Sequence, residues 1–523
     1  MIDMANIRYL AATLAVLCVS AAAQHPRDSE IQDADTKAWW HTTEALSGDD
    51  MQGRDTGSGA YQRAADYVAA RFKAAGLKPA GDSGSYFQSV PMHELALDPA
   101  GTSFIVERSG GNIALQFLQE ITIAPAAFGT DSISGPLTFR GYCDKDAMAD
   151  IAGKFVICYG GRRAGMTTAA ERIANARSGG ALGVLTTDDP GFIIEPQRWP
   201  EAYARSVTLA QPGREKSAAV QSFLSMRVST LAFSKLIASR EHEPGAFIMA
   251  AAAKLPLPSF EVPGKLVVHL KTTERDLKSP NVLAILPGTD SKLKDEYVVA
   301  ASHLDGYGYG TPVNGDNLYN GTLDDAAYVA LLIQMADDIK AGKIPHPKRS
   351  ILFCAFTGEE KGLLGSNWFV DHPTVPKESL VADINLDQLR PLFPLNILTA
   401  LAVNDTTLGQ TAREVGKPMG IEIREDREPE RGLLRRADHY PFLRIGVPAI
   451  GFIFGYDPGT DAEKRYREWY QVRYHRPQDD LTQPVDFDAA TKFNQFFYKL
   501  VKAVGDAPNR PAFATGSPLA PKK

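Results

Sequence analysis

The sequence is organised around one apolar run, Leu352–Phe356, that leads through Thr357 and Gly358 into two adjacent carboxylates, Glu359 and Glu360. The run predicts a buried strand, and Gly358 permits a sharp turn at its end. Neighbouring side chains on a strand alternate faces, so two adjacent acids can act differently only where the backbone turns. One carboxylate can then bind a metal ion while the other accepts a proton from water. Taken alone, such a pair is more often part of a solvated loop.

The chain around this pair alternates between strand-like and helix-like segments from Asn281 onward, which is typical of an α/β layer architecture. The pattern predicts strands at 281–286, 297–301, 350–356 and 381–386, and a largely apolar helix at 325–339. Strand ends of an open α/β sheet face one crevice, so residues distant in sequence can meet there. Two histidines with several carboxylates and no cysteine suit zinc or a similar borderline metal. The residues that follow or lie between these elements and form this set are His303, Asp305, Asp324, Glu359, Glu360, Asp387 and His475.

The order of this set resembles that of the co-catalytic dizinc exopeptidases, which include secreted bacterial aminopeptidases and glutamate-carboxypeptidase-like proteins. The segments Leu46–Arg54 and Gly76–Gly81 are similar to the N-terminal helices of that family. The resemblance covers most of the chain after its first residues. It implies an α/β fold: a mixed-sheet, three-layer zinc exopeptidase domain interrupted by a β-rich protease-associated domain.

The resemblance also implies a role for each matching residue. Asp324 is expected to bridge two Zn²⁺ ions, with His303 and Asp387 completing one site and Glu360 and His475 the other. Glu359 is expected to be the general base that activates water for attack on a peptide bond. Asp305 is expected to orient the His303 ring, and Asp479 is a candidate for the same task at His475. Tyr474 matches a position that donates to the oxyanion in some members, and a packed aromatic is the alternative.

Three stretches depart from the family pattern without removing a ligand. Ala327-Tyr328 stands where many members have Ser-Gly, and Ala437-Asp438-His439 replaces a common Ser-Asp-His. Gln388-Leu389-Arg390 stands where many members have Met after the strand-end Asp. Arg390 is expected to form a structural ion pair, with an altered substrate pocket as the alternative.

The sequence predicts five regions. Residues 1–23 have the basic start, short apolar stretch and small residues of a cleaved signal peptide, which indicates export to the periplasm or the extracellular space. After them come N-terminal helices (24–94), the β-rich insert (95–272), the α/β peptidase domain (273–505) and a Pro/Ala/Lys-rich tail expected to be disordered (506–523). Cleavage leaves three cysteines; Cys354 is expected to be buried, and a Cys143–Cys158 bridge stays open.

Charge and motifs limit the functions to consider. A net charge of -6 argues against nucleic acid as the main partner, because phosphate binding needs a basic surface. No segment outside the signal region is apolar enough for stable membrane insertion. The leading prediction is an aminopeptidase acting on peptides, followed by a carboxypeptidase or dipeptidase on the same scaffold. A transferrin-receptor-like binding protein and a single-zinc glutaminyl cyclase are disfavoured by the complete ligand set, and the oligomeric state stays open.

Overall fold

The computed structural model describes residues 25–126, 128, 131–160, 166–188, 204–210, 222–239, 241–387 and 389–521. The predicted signal peptide, with Cys18, and Gln388 lie outside these residues. Within the described part of the chain, none of the helices combines the length and the apolar composition needed to cross a bilayer.

A ten-stranded mixed sheet forms the larger part of the fold. Its central strands are parallel: Ser350–Phe356 pairs with Tyr297–His303, which pairs with Leu380–Asn385, which pairs with Ala449–Phe454. Antiparallel strands extend both sides. In spatial order the strands are Glu422–Arg424, Ile397–Leu401, Ala449–Phe454, Leu380–Asn385, Tyr297–His303, Ser350–Phe356, Thr272–Leu286, Phe87–Leu97 and Arg205–Leu209, with Lys78–Pro79 also pairing with Thr272–Leu286.

Alternating side chains of the central strands enter two separate cores. Leu352, Cys354 and Phe356 pack in one core, whereas Ile351 and Phe353 pack in the other. A strand covered on both faces must be apolar at successive positions, which explains the continuous run in the sequence. The mixed α/β fold with three layers is therefore confirmed.

Helices cover both faces of this sheet. On one face several helices begin with a capping side chain: Asp33, Ser58 and Asp486 each accept a hydrogen bond from a first-turn N–H. The helices on this face are Ala34–Ser47, Gly59–Ala74, Ala327–Lys340, Leu408–Gly416, Asp461–Val472 and Phe487–Asp506, and those on the other face are Leu364–Asp371 and His439–Arg444.

A second, eight-stranded sheet with its own apolar core is formed by the part of the chain between two strands of the larger sheet. The chain leaves after Phe87–Leu97 and returns in Thr272–Leu286, and these two strands pair along their length. The strands are, in spatial order, Ile113–Leu115, Ser103–Glu107, Ser259–His269, Ser132–Arg140, Phe155–Gly160, Gly183–Asp188, Leu224–Val228 and Ile121–Ile123, and the helices are Ala169–Ser178, Thr230–Ile237 and Pro244–Ala252.

The predicted insert of 95–272 is not confined to this second sheet. Arg205–Leu209 pairs with Phe87–Leu97 at the edge of the larger sheet, where Arg205 contacts Asp55 and Glu94. Sequence patterns could not reveal this pairing because it joins segments more than a hundred residues apart. That the insert is a protease-associated domain stays a prediction.

The C-terminal segment differs from the predicted disordered tail. After the helix Phe487–Asp506, Arg510 pairs with Glu296, and Ala514 N–H donates to the carbonyl of Asp405 at 2.8 Å. The prediction of disorder is therefore wrong for the described residues up to 521. Composition suggested a free tail, but these contacts hold the segment against the large domain.

The structure shows the state of the three cysteines that follow the predicted signal peptide. Cys143 and Cys158 form a disulfide with Cα atoms 5.6 Å apart, and Cys354 is a buried free thiol as predicted. The bridge joins the start of the loop after Ser132–Arg140 to the next strand, Phe155–Gly160. It therefore constrains the centre of the insert.

Removing the bridge should destabilise the insert. The double variant Cys143→Ala and Cys158→Ala opens a loop with a sequence separation of 15, for which chain entropy predicts a loss of about 3 kcal/mol in the free energy of unfolding. Thermal unfolding with and without reductant tests this. Reductant should lower the wild-type midpoint to that of the variant and leave the variant unchanged. A fully reduced wild type with an unaltered midpoint would contradict the expectation.

Candidate metal centre

The central parallel strands deliver three groups to the same edge of the sheet. His303 is the last residue of Tyr297–His303 and lies opposite Phe356 of the neighbouring strand. Glu359 and Glu360 follow Phe356 after a turn in which Gly358 has φ 65°. Asp387 follows the next strand, Leu380–Asn385. Parallel strands end on one side, so these side chains converge as predicted.

Asp324 lies between the two histidines. One of its carboxylate oxygens, Oδ1, is 3.5 Å from His303 Nε2, and the other, Oδ2, is 3.4 Å from His475 Nε2. Glu360 Oε2 is also 3.4 Å from His475 Nε2. The ligand atoms of Asp324, Glu360 and His475 all lie within 4.8 Å of one another. One carboxylate facing two imidazoles is the arrangement expected of a ligand that bridges two metal ions.

The donor atoms fit a cationic occupant. His303 Nε2, Asp324 Oδ2 and Glu360 Oε1 are buried and make no hydrogen bond with any described residue. Buried polar atoms are nearly always hydrogen-bonded, so several buried nitrogen and oxygen atoms without a partner in one site indicate a bound cation. Imidazole nitrogens and carboxylate oxygens are ligands that zinc accepts.

Electrostatics support the same conclusion. Burial raises the pKa of Glu359 well above its usual value, with the charges of Asp387 and Glu360 adding to the effect. Burial also raises the pKa of Glu360 to about 7. Burial opposes ionisation of Asp324 too, but Arg390 and the two histidines hold its pKa well below the usual value. The site therefore has one firmly ionised carboxylate between acids that need a cation or a proton.

Asp305 orients His303 differently from the prediction. The Asp305 main-chain carbonyl is 3.1 Å from His303 Nδ1, whereas its carboxylate is 3.8 Å away. A carbonyl can only accept, so Nδ1–H donates, and in the neutral imidazole Nε2 then keeps its lone pair for a metal ion. The carboxylate instead accepts from Glu359 N–H at 3.0 Å and from the Thr56 hydroxyl at 2.8 Å. The predicted carboxylate contact is wrong, and the carboxylate holds the backbone of the proposed base.

Asp479 does not contact His475, so that prediction is wrong as well. Its Oδ1 accepts from Leu323 N–H at 3.0 Å and from Gln483 Nε2 at 2.5 Å, and its carbonyl accepts from Thr322 N–H at 3.0 Å. Asp479 therefore fixes the turn that precedes Asp324.

Tyr307 places its hydroxyl beside His475 Nδ1, and sequence reasoning missed this contact. Its hydroxyl donates to Glu360 Oε2 at 2.5 Å and lies 3.1 Å from His475 Nδ1. The position of Tyr307, four residues after a strand-end histidine, was a weak signal because it depends on the path of the loop.

Asp325 is a second acid of the site that sequence reasoning did not assign. Its carboxylate accepts from the Ser302 hydroxyl and from His303 N–H at 3.2 Å, and one of its oxygens lies close to donor atoms of His303 and Asp387. The Asp324–Asp325 peptide bond is cis. These two residues lie in the π turn Thr322–Ala326, so the helix predicted at 325–339 begins later, at Ala327.

Arg54 joins the N-terminal helices to the site. Its fully buried guanidinium donates to the carbonyls of Leu46, Leu304, Asn320 and Gly321 at 2.8–2.9 Å. Burial lowers its pKa to about 10, and nearby carboxylates oppose that shift. Arg54 thereby holds together the loops that follow His303 and precede Asp324.

Arg390 forms the buried ion pair that was predicted for it. Its Nη2 lies 3.3 Å from Asp324 Oδ1, and its guanidinium stacks 4.4 Å from the Trp469 ring. Nη1 donates to the Leu323 carbonyl at 2.8 Å. Arg390 is fully buried and is not one of the residues that line the cavity described below, so these observations support the ion pair and not the altered substrate pocket. His439 is fully buried, and burial lowers its pKa to about 4.

The site opens into a cavity of about 280 Å³. Tyr474 is 5% exposed there, its ring stacks on His475 at 3.7 Å, and its hydroxyl accepts from Arg436 Nη2 at 3.2 Å. The cavity is lined by Tyr307, Asp324, Glu359, Glu360, Gly362, Leu363, Arg435, Arg436, Tyr474 and His475.

Comparison with known proteins identifies the same region. A model of peptidase family M28 matches residues 281–501. A "probable zinc metalloprotease" of Pyrenophora tritici-repentis is 28% identical over 265 residues, covering 44% of this chain and 58% of the relative. A "glutamate carboxypeptidase 2 homolog" of Caenorhabditis briggsae is 24% identical and covered over 33% of its length. The chain thus matches less than two thirds of these curated relatives.

Solved structures share the fold over nearly the whole chain. An aminopeptidase from Aneurinibacillus sp. strain AM-1 superposes with a TM-score of 0.58 at 17% identity, covering 96% of this chain and 99% of that one. A zinc aminopeptidase from Bacillus subtilis gives 0.57 at 17% identity, with 90% and 95% covered. At this identity the likeness concerns the fold alone.

Loss of the Tyr307 hydroxyl should weaken zinc binding. Tyr307→Phe removes the donor to Glu360, and loss of such a supporting contact typically costs about 10- to 100-fold in metal affinity. Competition with a chromophoric chelator measures this. Tyr319→Phe is the matched control, because that nearby hydroxyl donates to the Thr311 carbonyl instead. A Tyr307→Phe variant that binds zinc as tightly as wild type and Tyr319→Phe would refute the assigned role.

Proposed function

Because residues 281–501 belong to peptidase family M28, we propose that the protein is a dinuclear zinc exopeptidase that removes N-terminal residues from peptides. The observation that carries the proposal is Asp324, whose two oxygens face His303 and His475 separately. Each imidazole also belongs to its own group of candidate ligands, His303 with Asp387 and His475 with Glu360, which favours two ions over one.

The chain offers a complete ligand set for two ions. In the proposal His303 and Asp387 would hold one zinc ion, Glu360 and His475 would hold the other, and Asp324 would offer one oxygen to each. The ions would supply polarisation of the peptide carbonyl and a lowered pKa of the attacking water. Arg390 keeps Asp324 ionised and ready to bind both.

Glu359 is the proposed general base. Its N–H donates to the Asp305 carboxylate, and its Oε2 lies 3.9 Å from His303 Nε2, so the Glu359 carboxylate faces the centre. The two groups of candidate ligands do not include it. Burial raises its pKa, which favours acceptance of a proton from the attacking water. Glu359 then transfers this proton to the amine that leaves.

Tyr474 is the proposed donor to the oxyanion. Tyr474 lines the cavity, and its hydroxyl accepts a hydrogen bond from the cationic Arg436, which strengthens the hydroxyl as a donor toward a developing negative charge. The Tyr307 hydroxyl already donates to Glu360, so it is the poorer candidate. The stacking of Tyr474 on His475 fixes the position of the hydroxyl relative to the proposed ligands.

A carboxypeptidase or dipeptidase is the second candidate. The observation in its favour is the pair Arg435 and Arg436 at the cavity, since arginine binds a terminal carboxylate well. A non-catalytic binding protein is disfavoured, because such a role leaves the ligand set and the Glu359 carboxylate without a purpose.

Export to the periplasm or the extracellular space is part of the proposal. The Cys143–Cys158 disulfide supports it, since such bridges persist in oxidising compartments. The insert is proposed to shape access to the cleft, because its segment Arg205–Leu209 pairs with the peptidase sheet and Arg205 contacts Asp55.

Matched peptides, free or blocked at either end, distinguish the two exopeptidase candidates. An aminopeptidase should require a free N-terminus, lose activity with chelator and regain it with zinc. A requirement for a free C-terminus would instead select the carboxypeptidase. Absence of cleavage of any peptide by protein with two bound zinc ions would overturn the proposed function.

Replacing the base tests the mechanism. Glu359→Gln should lower kcat by about 10²- to 10⁴-fold, the usual contribution of a general base, while zinc content measured by atomic emission stays at the wild-type level. Glu378→Gln, at an exposed site in the same domain, is the control and should keep full activity. A near-normal kcat in Glu359→Gln would remove this residue from the mechanism.

A further inference from the structure

The cavity has two cations at its surface that the proposed chemistry does not use as ligands or base. Arg435 and Arg436 are both exposed and line the cavity together with the candidate ligands. Arg435 ends the turn Leu433–Arg435, and Arg436 follows it before Ala437. They occupy the stretch just before Ala437-Asp438-His439, one of the places where the sequence departs from the family pattern.

Arg435 makes no ion pair and no side-chain hydrogen bond with any residue that the structure describes. Its nearest aromatic neighbour is Tyr440, with the guanidinium carbon 5.8 Å from the ring centroid. Other arginines of this region are paired: Arg431 with Glu428, and Arg444 with Asp371. Arg435 is therefore a cation whose fork of donors remains available at the cavity.

Among the described residues that line the cavity, every acid already has a role in the proposed chemistry. The acids lining it are Asp324, Glu359 and Glu360, which are candidate ligands or the base. Two bound zinc ions would be matched in charge by these three carboxylates and Asp387. Arg435, which has no ion pair with any described residue, then adds a positive charge at the cavity, where charge interactions are stronger than in bulk water.

On the premise of the proposed peptidase function, we propose that the cavity binds a carboxylate of the substrate through Arg435, with Arg436 beside it. An arginine fork binds a carboxylate with two parallel hydrogen bonds, so it selects for geometry as well as charge. The substrate class is a peptide with a carboxylate on a residue next to the scissile bond. That carboxylate is either an acidic side chain or the C-terminal group.

Two pairs of peptides separate these sources. For the side chain, Glu-Ala-Ala-Ala-amide is compared with Gln-Ala-Ala-Ala-amide. For the C-terminus, the dipeptide Ala-Ala is compared with its amide. In at least one pair, zinc-loaded protein should favour the carboxylate member by about tenfold or more in kcat/KM, mostly through KM, as expected for a hydrogen-bonded charge.

Variants connect this preference to Arg435. Arg435→Gln should bring the carboxylate-to-amide ratio close to one, and Arg435→Lys, which keeps the charge but not the fork, should give an intermediate ratio. Arg444→Gln is the matched control and should retain the wild-type ratio, because Arg444 pairs with Asp371 away from the cavity lining. Both arginines are exposed, so the fold should tolerate these substitutions.

Binding measured without turnover makes the test independent of catalysis. Calorimetry on zinc-loaded Glu359→Gln, with and without Arg435→Gln, gives the dissociation constants for the same peptides. An Arg435-dependent preference for the carboxylate member supports the inference even if wild type cleaves none of the peptides, which would overturn only the proposed function. Equal affinities within both pairs, or a preference that survives Arg435→Gln, would overturn the inference. Cleavage of neutral peptides would still support the proposed function in that case.

Discussion

The burial of several carboxylates in one place is the constraint on which the site depends. The parallel strands that end at His303, Phe356 and Asn385 bring Glu359, Glu360 and Asp387 to one place, and the turn before the helix Ala327–Lys340 adds Asp324. Ionised acids in a water-poor site are costly unless cations neutralise them. The raised pKa of Glu359 and Glu360 is the measure of that cost. The two divalent ions of the proposal would remove this cost, which connects the architecture to the proposed chemistry.

Fixed cations and backbone contacts hold these acids in position. Arg390 pairs with Asp324, and Arg54 clamps the carbonyls of Leu304, Asn320 and Gly321. Arg54 comes from the N-terminal segment, more than two hundred residues before the region that matches the family model. The N-terminal helices are therefore part of the site's framework, although they contribute no ligand. Asp305 and Asp479 act similarly, each through contacts to main-chain groups around a functional residue.

The fold and the residues that converge were predictable because both follow from local patterns. An apolar run such as Leu352–Phe356 specifies a central strand, and histidines or acids just after such strands must meet at one edge. The supporting contacts were not predictable in this way. The path of the turns decides whether Asp305 holds His303 by its carboxylate or its carbonyl, and whether Tyr307 or Asp479 reaches His475. Hydrophobic periodicity in the sequence does not specify that path. The C-terminal segment illustrates the same limit, since composition suggested disorder where tertiary contacts impose order.

The central claim is that Asp324 bridges two metal ions and that Glu359 binds neither of them. Anomalous diffraction at the zinc edge from zinc-loaded crystals tests it most directly. The account predicts two peaks, one between His303 and Asp387 and one between Glu360 and His475, with one Asp324 oxygen on each and no Glu359 oxygen on either. A single peak, or coordination by Glu359 in place of Asp324, would contradict it.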